Sequence, residues 1–186
     1  AEQVTQALHV TLLGSTRPAG VKAHTGNLDP EAYEEFLRGQ FIWQRDPDGL
    51  ESLNAARGHF ENALAIDPQY VDPYWGLFMV WDRMNRNGHG SFEDSLRQMA
   101  VLAESLQKLA PNSDRTLSAV GRLATVNFNY EVALETLGRA TALYPANVTL
   151  LGEYAASLLG PRQFELATEV INRAARLDPT VALKGT

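Results

Sequence analysis

The chain has 186 residues, of which 45% are hydrophobic and 20% charged, and it carries a formal net charge of -6. This acidic balance argues against nucleic acid as a ligand, because phosphate binding requires a basic surface, and the absence of cysteine excludes disulfides, thiolate catalysis and cysteine-ligated metals. No apolar run approaches the roughly 20 residues that cross a bilayer, so we expect a cytoplasmic chain without a membrane partner.

The amino-terminal residues 1–28 predict one short helix followed by a linker. Apolar side chains recur at helical spacing along one side of the segment Gln3–Leu13, namely Val4, Ala7, Leu8 and Leu12. The linker 14–28 begins with a stretch rich in Gly, Ser, Thr and Pro. Asp29 then has the character of a helix cap, with Pro30 at the first helical position.

A phrase that ends in proline recurs through the rest of the chain. Pro111, Pro145 and Pro179 are spaced 34 residues apart, and Pro68 precedes Pro111 by 43 residues, which is 34 plus 9. A period of 34 residues is typical of a repeat built from one helix pair. Because the chain begins without Met and ends just after a repeat boundary, we expect it to be a piece of a longer protein.

The residues that precede each proline predict the second helix of a unit. The positions 12, 8 and 5 residues before the four prolines share one helix face, and small or apolar residues fill all of them. These are Ala56, Phe60, Ala63, Met99, Ala103, Leu106, Ala133, Leu137, Ala140, Ala167, Ile171 and Ala174. We expect this face to pack inside the repeat, and the proline to end the helix, since it forces the preceding residue out of the α region.

The first helix of each unit carries a small residue where two helices must approach closely. Gly39, Gly121 and Ala155 occupy this position in units one, three and four, whereas unit two has Phe78. A bulky side chain at this position would hold the helices apart.

Together these positions resemble the consensus of the tetratricopeptide repeat (TPR), with its Leu-Gly, small, aromatic, Ala and Pro positions over 34 residues. The resemblance extends from about Asp29 to Val181. It implies an all-α fold, a right-handed superhelical solenoid of about four TPR helix-turn-helix units with an extra amino-terminal helix. The array spans 29–181, in units of about 30–70, 71–113, 114–147 and 148–181, and 182–186 form a tail.

Units one and two depart from the consensus by insertions between their two helices. The first lies around Gln44–Gly49 and contains a Pro-Asp-Gly turn signal, and the second is the Gly- and Asn-rich stretch Asn85–Ser91. We expect both to be loops on the ridge between helices, with tolerated surface insertion as the ordinary explanation.

The order of these segments is also similar to that of bacterial multidomain regulators in which a TolB-like domain ends in a helix and leads into TPR units. The matching residues are the stretch Asp29–Tyr33 and the phrase Leu37-Arg38-Gly39. In that family the amino-terminal module is often a winged-helix DNA-binding domain or a class III nucleotide cyclase domain, and neither is present in this chain. The resemblance implies a sensory or regulatory context in bacterial signalling and transfers no catalytic residue.

No pattern in the sequence indicates a catalytic or metal site. The four histidines include no pair at the i, i+4 spacing of metal ligands, and GxGxxG, Walker and GxSxG motifs are absent. The histidines are His9, His24, His59 and His89. We therefore expect no enzyme activity, no cofactor and no metal.

The TPR resemblance implies that the first helices line a concave face, where family members bind an extended peptide or a partner helix. The candidate partner-binding residues on this face are Tyr33, Phe36, Gln40, Trp43, Trp75, Met79, Arg83, Arg115, Ser118 and Arg122. The same register adds Asp82, Thr125, Thr149, Gly152, Ala156 and Leu159.

Aromatic and arginine side chains often dominate interface energies. A partner with an apolar anchor and a nearby acidic group would suit Trp43, Trp75, Arg83 and Arg122. Alternatively, the two tryptophans pack against the Gln3–Leu13 helix or against neighbouring repeats. For Arg122 we favour a solvent-facing or partner-facing role.

One TPR subtype is excluded by these positions. TPR cochaperones that grip the carboxy-terminal carboxylate of heat-shock chaperones use Lys and Asn at defined lining positions. Here those positions hold Phe36, Gln40, Trp75 and Met79, so the carboxylate clamp is absent.

Two functions follow from this reading. The first is a protein–protein interaction scaffold that binds a peptide or partner domain on its concave face, as the regulatory part of a larger protein. The alternative is a structural or oligomerisation module, in which the apolar last repeat packs on another subunit to form a homo-oligomer. This alternative arises because a solenoid needs a polar cap, and the tail after Pro179 does not have the pattern of a capping helix.

Overall fold

A computed structural model describes residues 28–179, and all regular secondary structure in this range is helical. The helices are α1 (Pro30–Arg45), α2 (Leu50–Ile66), α3 (Val71–Arg86), α4 (Phe92–Leu109), α5 (Asp114–Val126), α6 (Tyr130–Leu143), α7 (Val148–Leu159) and α8 (Phe164–Leu177). The predicted helix Gln3–Leu13, the linker up to residue 27 and the tail 182–186 lie outside the described residues.

The eight described helices form four helix-turn-helix units stacked in chain order. Each helix packs against its predecessor and its successor, and the first helices α1, α3, α5 and α7 also contact one another in sequence. The first helices therefore lie side by side and form a continuous surface, here called the first-helix face. This arrangement confirms the predicted all-α repeat solenoid.

Side-chain caps and prolines set where the helices begin and end. Asp29 accepts a hydrogen bond from the amide of Glu31 at 2.8 Å, and Pro30 occupies the first turn as predicted. Ser113 caps α5 in the same way through the amide of Thr116. At the other end of each unit, the residue before the repeated proline leaves the helical region, for example Ala110 with φ -147° and ψ 66°.

A large side chain seated on a small residue joins the two helices of a unit. In unit one, a Cβ atom added to Gly39 would lie 2.7 Å from the ring of Phe60, and one added to Gly76 of the next unit would lie 2.8 Å from the same ring. In unit three, a Cβ atom on Gly121 would overlap the side chain of Leu137. The glycines at these crossings are therefore required by close approach, as the sequence predicted.

Unit two reverses this arrangement of large and small residues. Phe78 takes the position of Gly39 and Gly121, and Ala103 takes the position of Phe60 and Leu137. Phe78 is fully buried and Ala103 is 3% exposed. In unit two the large side chain is thus on the first helix and the small one on the second. This departure from the consensus preserves the side-chain volume between the two helices.

The predicted burial of the second-helix face is correct at eleven of its twelve positions and wrong at Ile171. Ile171 is 47% exposed, whereas its equivalents Phe60 and Leu137 are at most 1% exposed. In the earlier units this face also meets the first helix of the following unit, as Gly76 meets Phe60. Within residues 28–179 no helix follows α8, so in this range no later helix packs on its outer face.

The two insertions form loops, as predicted, and they also contact each other. Asp48 Oδ1 accepts hydrogen bonds from Arg83 at 3.0 Å and from the side-chain amide of Asn87 at 3.1 Å. His89 Nε2 lies 3.3 Å from the carbonyl oxygen of Asp48. The insertions of units one and two therefore form one joined edge of the array.

Exchanging the large and small residues of unit two tests the volume argument. Phe78→Ala should lower the free energy of unfolding by about 3–5 kcal/mol through the cavity it leaves, and Ala103→Phe should lower it by about 1–3 kcal/mol through overpacking. The double variant Phe78→Ala/Ala103→Phe should lose less than the sum of the two, because the new ring fills the new cavity. Urea unfolding of the four proteins measures this coupling, and strictly additive losses would contradict the exchange.

Candidate functional site

A small open cleft, with a volume of about 90 Å³, lies in the first-helix face between α1 and α3. Six of the ten predicted partner-binding residues line it: Phe36, Gln40, Trp43, Trp75, Met79 and Arg115. Phe60, Asp72 and Gly76 complete the lining. The helical register thus brings residues that lie up to 79 positions apart in the chain (36 to 115) onto one surface.

The aromatic walls of the cleft are held by packing from behind. Trp75 stacks on the buried Phe78 with ring centroids 5.7 Å apart and an angle of 8° between the rings. Phe36 contacts Phe60 at 5.9 Å and Tyr70 at 5.3 Å between centroids. These contacts restrict the side-chain rotamers, so the cleft does not depend on a ligand for its shape.

The surroundings of the two tryptophans agree with packing against neighbouring repeats, and their role in partner binding stays a prediction. Trp43 and Trp75 are half-buried and pack on the core of units one and two, which is packing against neighbouring repeats. Each also presents part of its ring to the cleft. Any contact with the Gln3–Leu13 segment lies outside the described residues.

Ion pairs lie at both ends of the cleft. At one end, Arg115 of α5 pairs with Asp72 of α3, which ties unit three to unit two. At the other end, Arg83 bonds Asp48 of the joined insertions and lies over the ring of Trp43, 5.8 Å from its centroid. This cation–π contact helps to hold the ring of Trp43 in place.

Farther along the first-helix face, one arginine joins three units. Arg122 of α5 pairs with Asp82 of α3 and, at 3.0 Å, with Glu153 of α7. Ser118 donates a hydrogen bond of 2.6 Å to Glu153, and Arg86 pairs with Asp82 at 2.9 Å. The side chains of Asp82 and Glu153 are only 2% and 8% exposed, so this charge network is largely removed from water.

Burial and pairing act in opposite directions on the network. Burial is the largest influence on Arg122 and lowers its pKa, but the attractions of Asp82 and Glu153 outweigh it and raise the pKa above its usual value. For Glu153, burial raises the pKa above its usual value despite the attraction of Arg122 and the hydrogen bond from Ser118. Burial likewise lowers the pKa of Arg86, aided by repulsion from Arg122.

The four remaining predicted residues lie outside the cleft lining. Arg122, for which we favoured a solvent-facing or partner-facing role, does not face solvent, because its side chain is 18% exposed and bonded to two carboxylates; a partner-facing role stays a prediction. Ser118 is 3% exposed and serves the same network. Arg83 contacts the ring of Trp43. Tyr33 packs against the core of units one and two.

Sequence reasoning missed the carboxylates that complete this surface. Glu153 takes the register position of Gly76 and Ala119, and a charged residue where units two and three carry a small one is a signal that could have indicated a buried partner. Asp82 was assigned to the lining but without its role as a bridge. Asp72 takes the register position of Tyr33, Arg115 and Thr149, so the same register could have placed it on this face.

The histidines in the described range serve structural contacts. His59 Nδ1 lies 2.9 Å from Glu35 Oε2, between α2 and α1, and His89 contacts the first insertion. Residues 28–179 hold no cluster of His, Asp and Glu suited to a metal ion. In the same range, no helix has the length and apolar character needed to span a membrane.

Comparison with known sequences finds one partial similarity. No protein-family profile matches the chain. Over 134 residues it is 25% identical to the transcriptional regulator HilA of Salmonella paratyphi A, strain ATCC 9150 / SARB42. The aligned region is 72% of this chain but 24% of HilA, so the chain spans about a quarter of that regulator.

Solved structures share the fold at low sequence identity. TTC0263, a thermophilic TPR protein of Thermus thermophilus, superposes with a TM-score of 0.64 at 15% identity, over 99% of this chain and 96% of that one. A double mutant of RS-1 MamA gives a TM-score of 0.58 at 17% identity, over 82% and 78% of the two chains. The fold is therefore that of TPR proteins, as the sequence resemblance implied.

Removing the shared arginine tests the network. Arg122→Met should lower the free energy of unfolding by about 3–5 kcal/mol, because it leaves Asp82 and Glu153 buried without their common cation. Arg86→Met, which removes a half-exposed arginine from the same Asp82, should cost about 0–1 kcal/mol. Chemical denaturation at pH 7.5 compares the two variants, and equal losses would contradict a central role for Arg122.

The same variant should show a characteristic pH dependence. Without Arg122 the pKa of Glu153 rises further, so the folded state binds a proton more readily than the unfolded state. The stability difference between Arg122→Met and the parent should therefore shrink as the pH is lowered from 7.5 to about 5. A difference that stays constant over this range would contradict the buried position of Glu153.

Proposed function

We propose that this chain is a protein–protein interaction scaffold that binds a peptide or partner domain on its first-helix face, at the cleft between α1 and α3. The observation that carries the proposal is the convergence of Phe36, Trp43, Trp75 and Met79 on one open cleft. Trp43 and Trp75 are half-buried, and aromatic side chains held in fixed positions supply contact area at little cost in conformational entropy, which is typical of interface hot spots.

Two observations support a regulatory context for this scaffold. The order of segments resembles that of bacterial multidomain regulators, and about three quarters of the chain aligns with a quarter of a transcriptional regulator. We propose that the array is the partner-binding part of a longer cytoplasmic regulator, without enzyme activity of its own. In this proposal, contact with nucleic acid belongs to other parts of that protein.

A matched pair of tryptophan variants tests the proposed site. Trp75→Ala should weaken partner binding by about 30-fold or more, the effect of losing a hot spot of about 2 kcal/mol. Trp81→Ala is the control, since Trp81 is also half-buried but lies against Arg57 of α2, 5.3 Å from its ring centroid, and outside the cleft. Pull-down from the native cell extract with quantitative mass spectrometry identifies proteins captured by the parent and by Trp81→Ala.

The pull-down result can be interpreted only if both tryptophan variants are folded. Circular dichroism melting should show a cooperative transition for both, because each removes one partly exposed ring. A partner that Trp75→Ala captures as well as the parent would contradict the proposed site.

A second candidate, self-association, rests on the two apolar ends of the array. Ile171 is 47% exposed at a position that is buried in the earlier units. At the other end, Phe41 of α1 is 65% exposed, although its register equivalent Val80 is fully buried. Within the array, each first helix packs against the second helix of the preceding unit. In this candidate, α1 of a second copy packs against α8 in the same way, which is a heterologous, head-to-tail contact.

Charge substitution at each end distinguishes this candidate. Ile171→Glu and Phe41→Glu should each weaken self-association at least about tenfold in sedimentation equilibrium, because each places a carboxylate on an apolar interface. An equimolar mixture of the two variants should form a 1:1 dimer, since each variant keeps one intact end. Leu143→Glu is the control, because Leu143 is exposed even though a unit follows it. A parent that is monomeric at high concentration would contradict the candidate.

A further inference from the structure

The charged groups of the first-helix face are ion-paired with one another, although among the described residues the buried Nε atoms of Arg83 and Arg122 have no hydrogen-bond partner. In the described part of this face, ion pairs join Arg83, Arg86, Arg115 and Arg122 to Asp48, Asp72, Asp82 and Glu153. Four positive charges therefore meet four negative charges, although the whole chain carries a net charge of -6. These eight paired groups together carry no net charge.

A partner carboxylate would have to break these pairs in order to bind an arginine. Arg122 is held between Asp82 and Glu153, and releasing it would leave two buried carboxylates without a cation. That loss is larger than the gain from one new exposed pair. Arg83 is less buried, but it holds the insertion through Asp48 and lies against Trp43. The arginines are therefore structural, and acidic groups gain little from them.

The cleft itself offers apolar surface, one uncharged polar group and, at one end, the mutually paired Arg115 and Asp72. Its walls are the rings of Phe36, Trp43 and Trp75 and the side chain of Met79. Gln40 lies among them, half-buried. A side-chain amide can donate to a carbonyl and accept from an N–H at the same time, which matches a peptide group of an extended chain.

Resting on the proposed function, we propose that the cleft takes an uncharged aliphatic or aromatic side chain of an extended peptide, with Gln40 bonding the adjacent peptide group. The occupant needs no acidic residue, in contrast to the acidic neighbour that the sequence alone suggested. Apolar burial supplies the affinity, and the balanced ion pairs at both ends of the cleft make binding insensitive to salt.

Selection from a random library tests the chemistry of the occupant. A phage-displayed library of random 12-residue peptides is panned on the parent chain and on Met79→Glu, which places a charge in the cleft. Val101→Glu, on an exposed position of α4 outside the cleft, is the matched control. Peptides enriched on the parent and on Val101→Glu, but not on Met79→Glu, should share an apolar position and be no more acidic than the unselected library.

Two measurements on an enriched peptide complete the test. The chain has three tryptophans, and the peptide should shift the indole N–H signals of Trp43 and Trp75 in a heteronuclear NMR spectrum while leaving that of Trp81 unchanged. Its dissociation constant should agree within about twofold between 50 and 500 mM NaCl, and Gln40→Met should weaken binding by about three- to tenfold.

The outcomes separate this inference from the proposed function. Enrichment of acidic peptides that shift Trp43 and Trp75, or a tenfold loss of affinity at high salt, would overturn the uncharged occupant and leave the cleft as the binding site. Peptides that bind equally to Met79→Glu would overturn both. No enrichment at all, together with a protein partner that is lost on Trp75→Ala, would overturn the peptide occupant alone.

Discussion

The close crossing of two helices, in which one large side chain sits on one small residue, is the constraint on which this structure depends. Phe60 lies between Gly39 of its own unit and Gly76 of the next, so one ring sets the spacing of three helices. Leu137 has the corresponding place against Gly121 in unit three. Because a densely packed interior leaves no spare volume, these crossings fix how far apart the first helices lie, and hence the width of any cleft between them.

That spacing has different consequences along the array. Between α1 and α3 the first-helix face carries aromatic and thioether side chains, and an open cleft remains between them. From α3 to α7 the same face is joined by Asp82, Arg122 and Glu153, which are largely buried. Buried, mutually bonded charges hold helices in one register because any other register would leave a charge unpaired. The carboxy-terminal units thus give the cleft a fixed support, while the cleft itself remains accessible.

The insertions of units one and two help to define the open part of the first-helix face. They meet at Asp48, and through Arg83 they contact Trp43 at the rim of the cleft. Loops of different length therefore act as one element that limits the cleft at its Trp43 end.

The sequence by itself determined the repeat, because the 34-residue period, the prolines and the helical spacing of small and apolar residues are local signals that depend on few long-range contacts. It also identified six residues of the cleft, since residues at one repeat position share one face. Only the tertiary structure decided that Arg122 is buried between two carboxylates, that Phe78 and Ala103 exchange volume, and that Ile171 is exposed. Each of these depends on which side chain of another helix, if any, lies opposite, and periodicity specifies the face a residue occupies but not the partner it meets there.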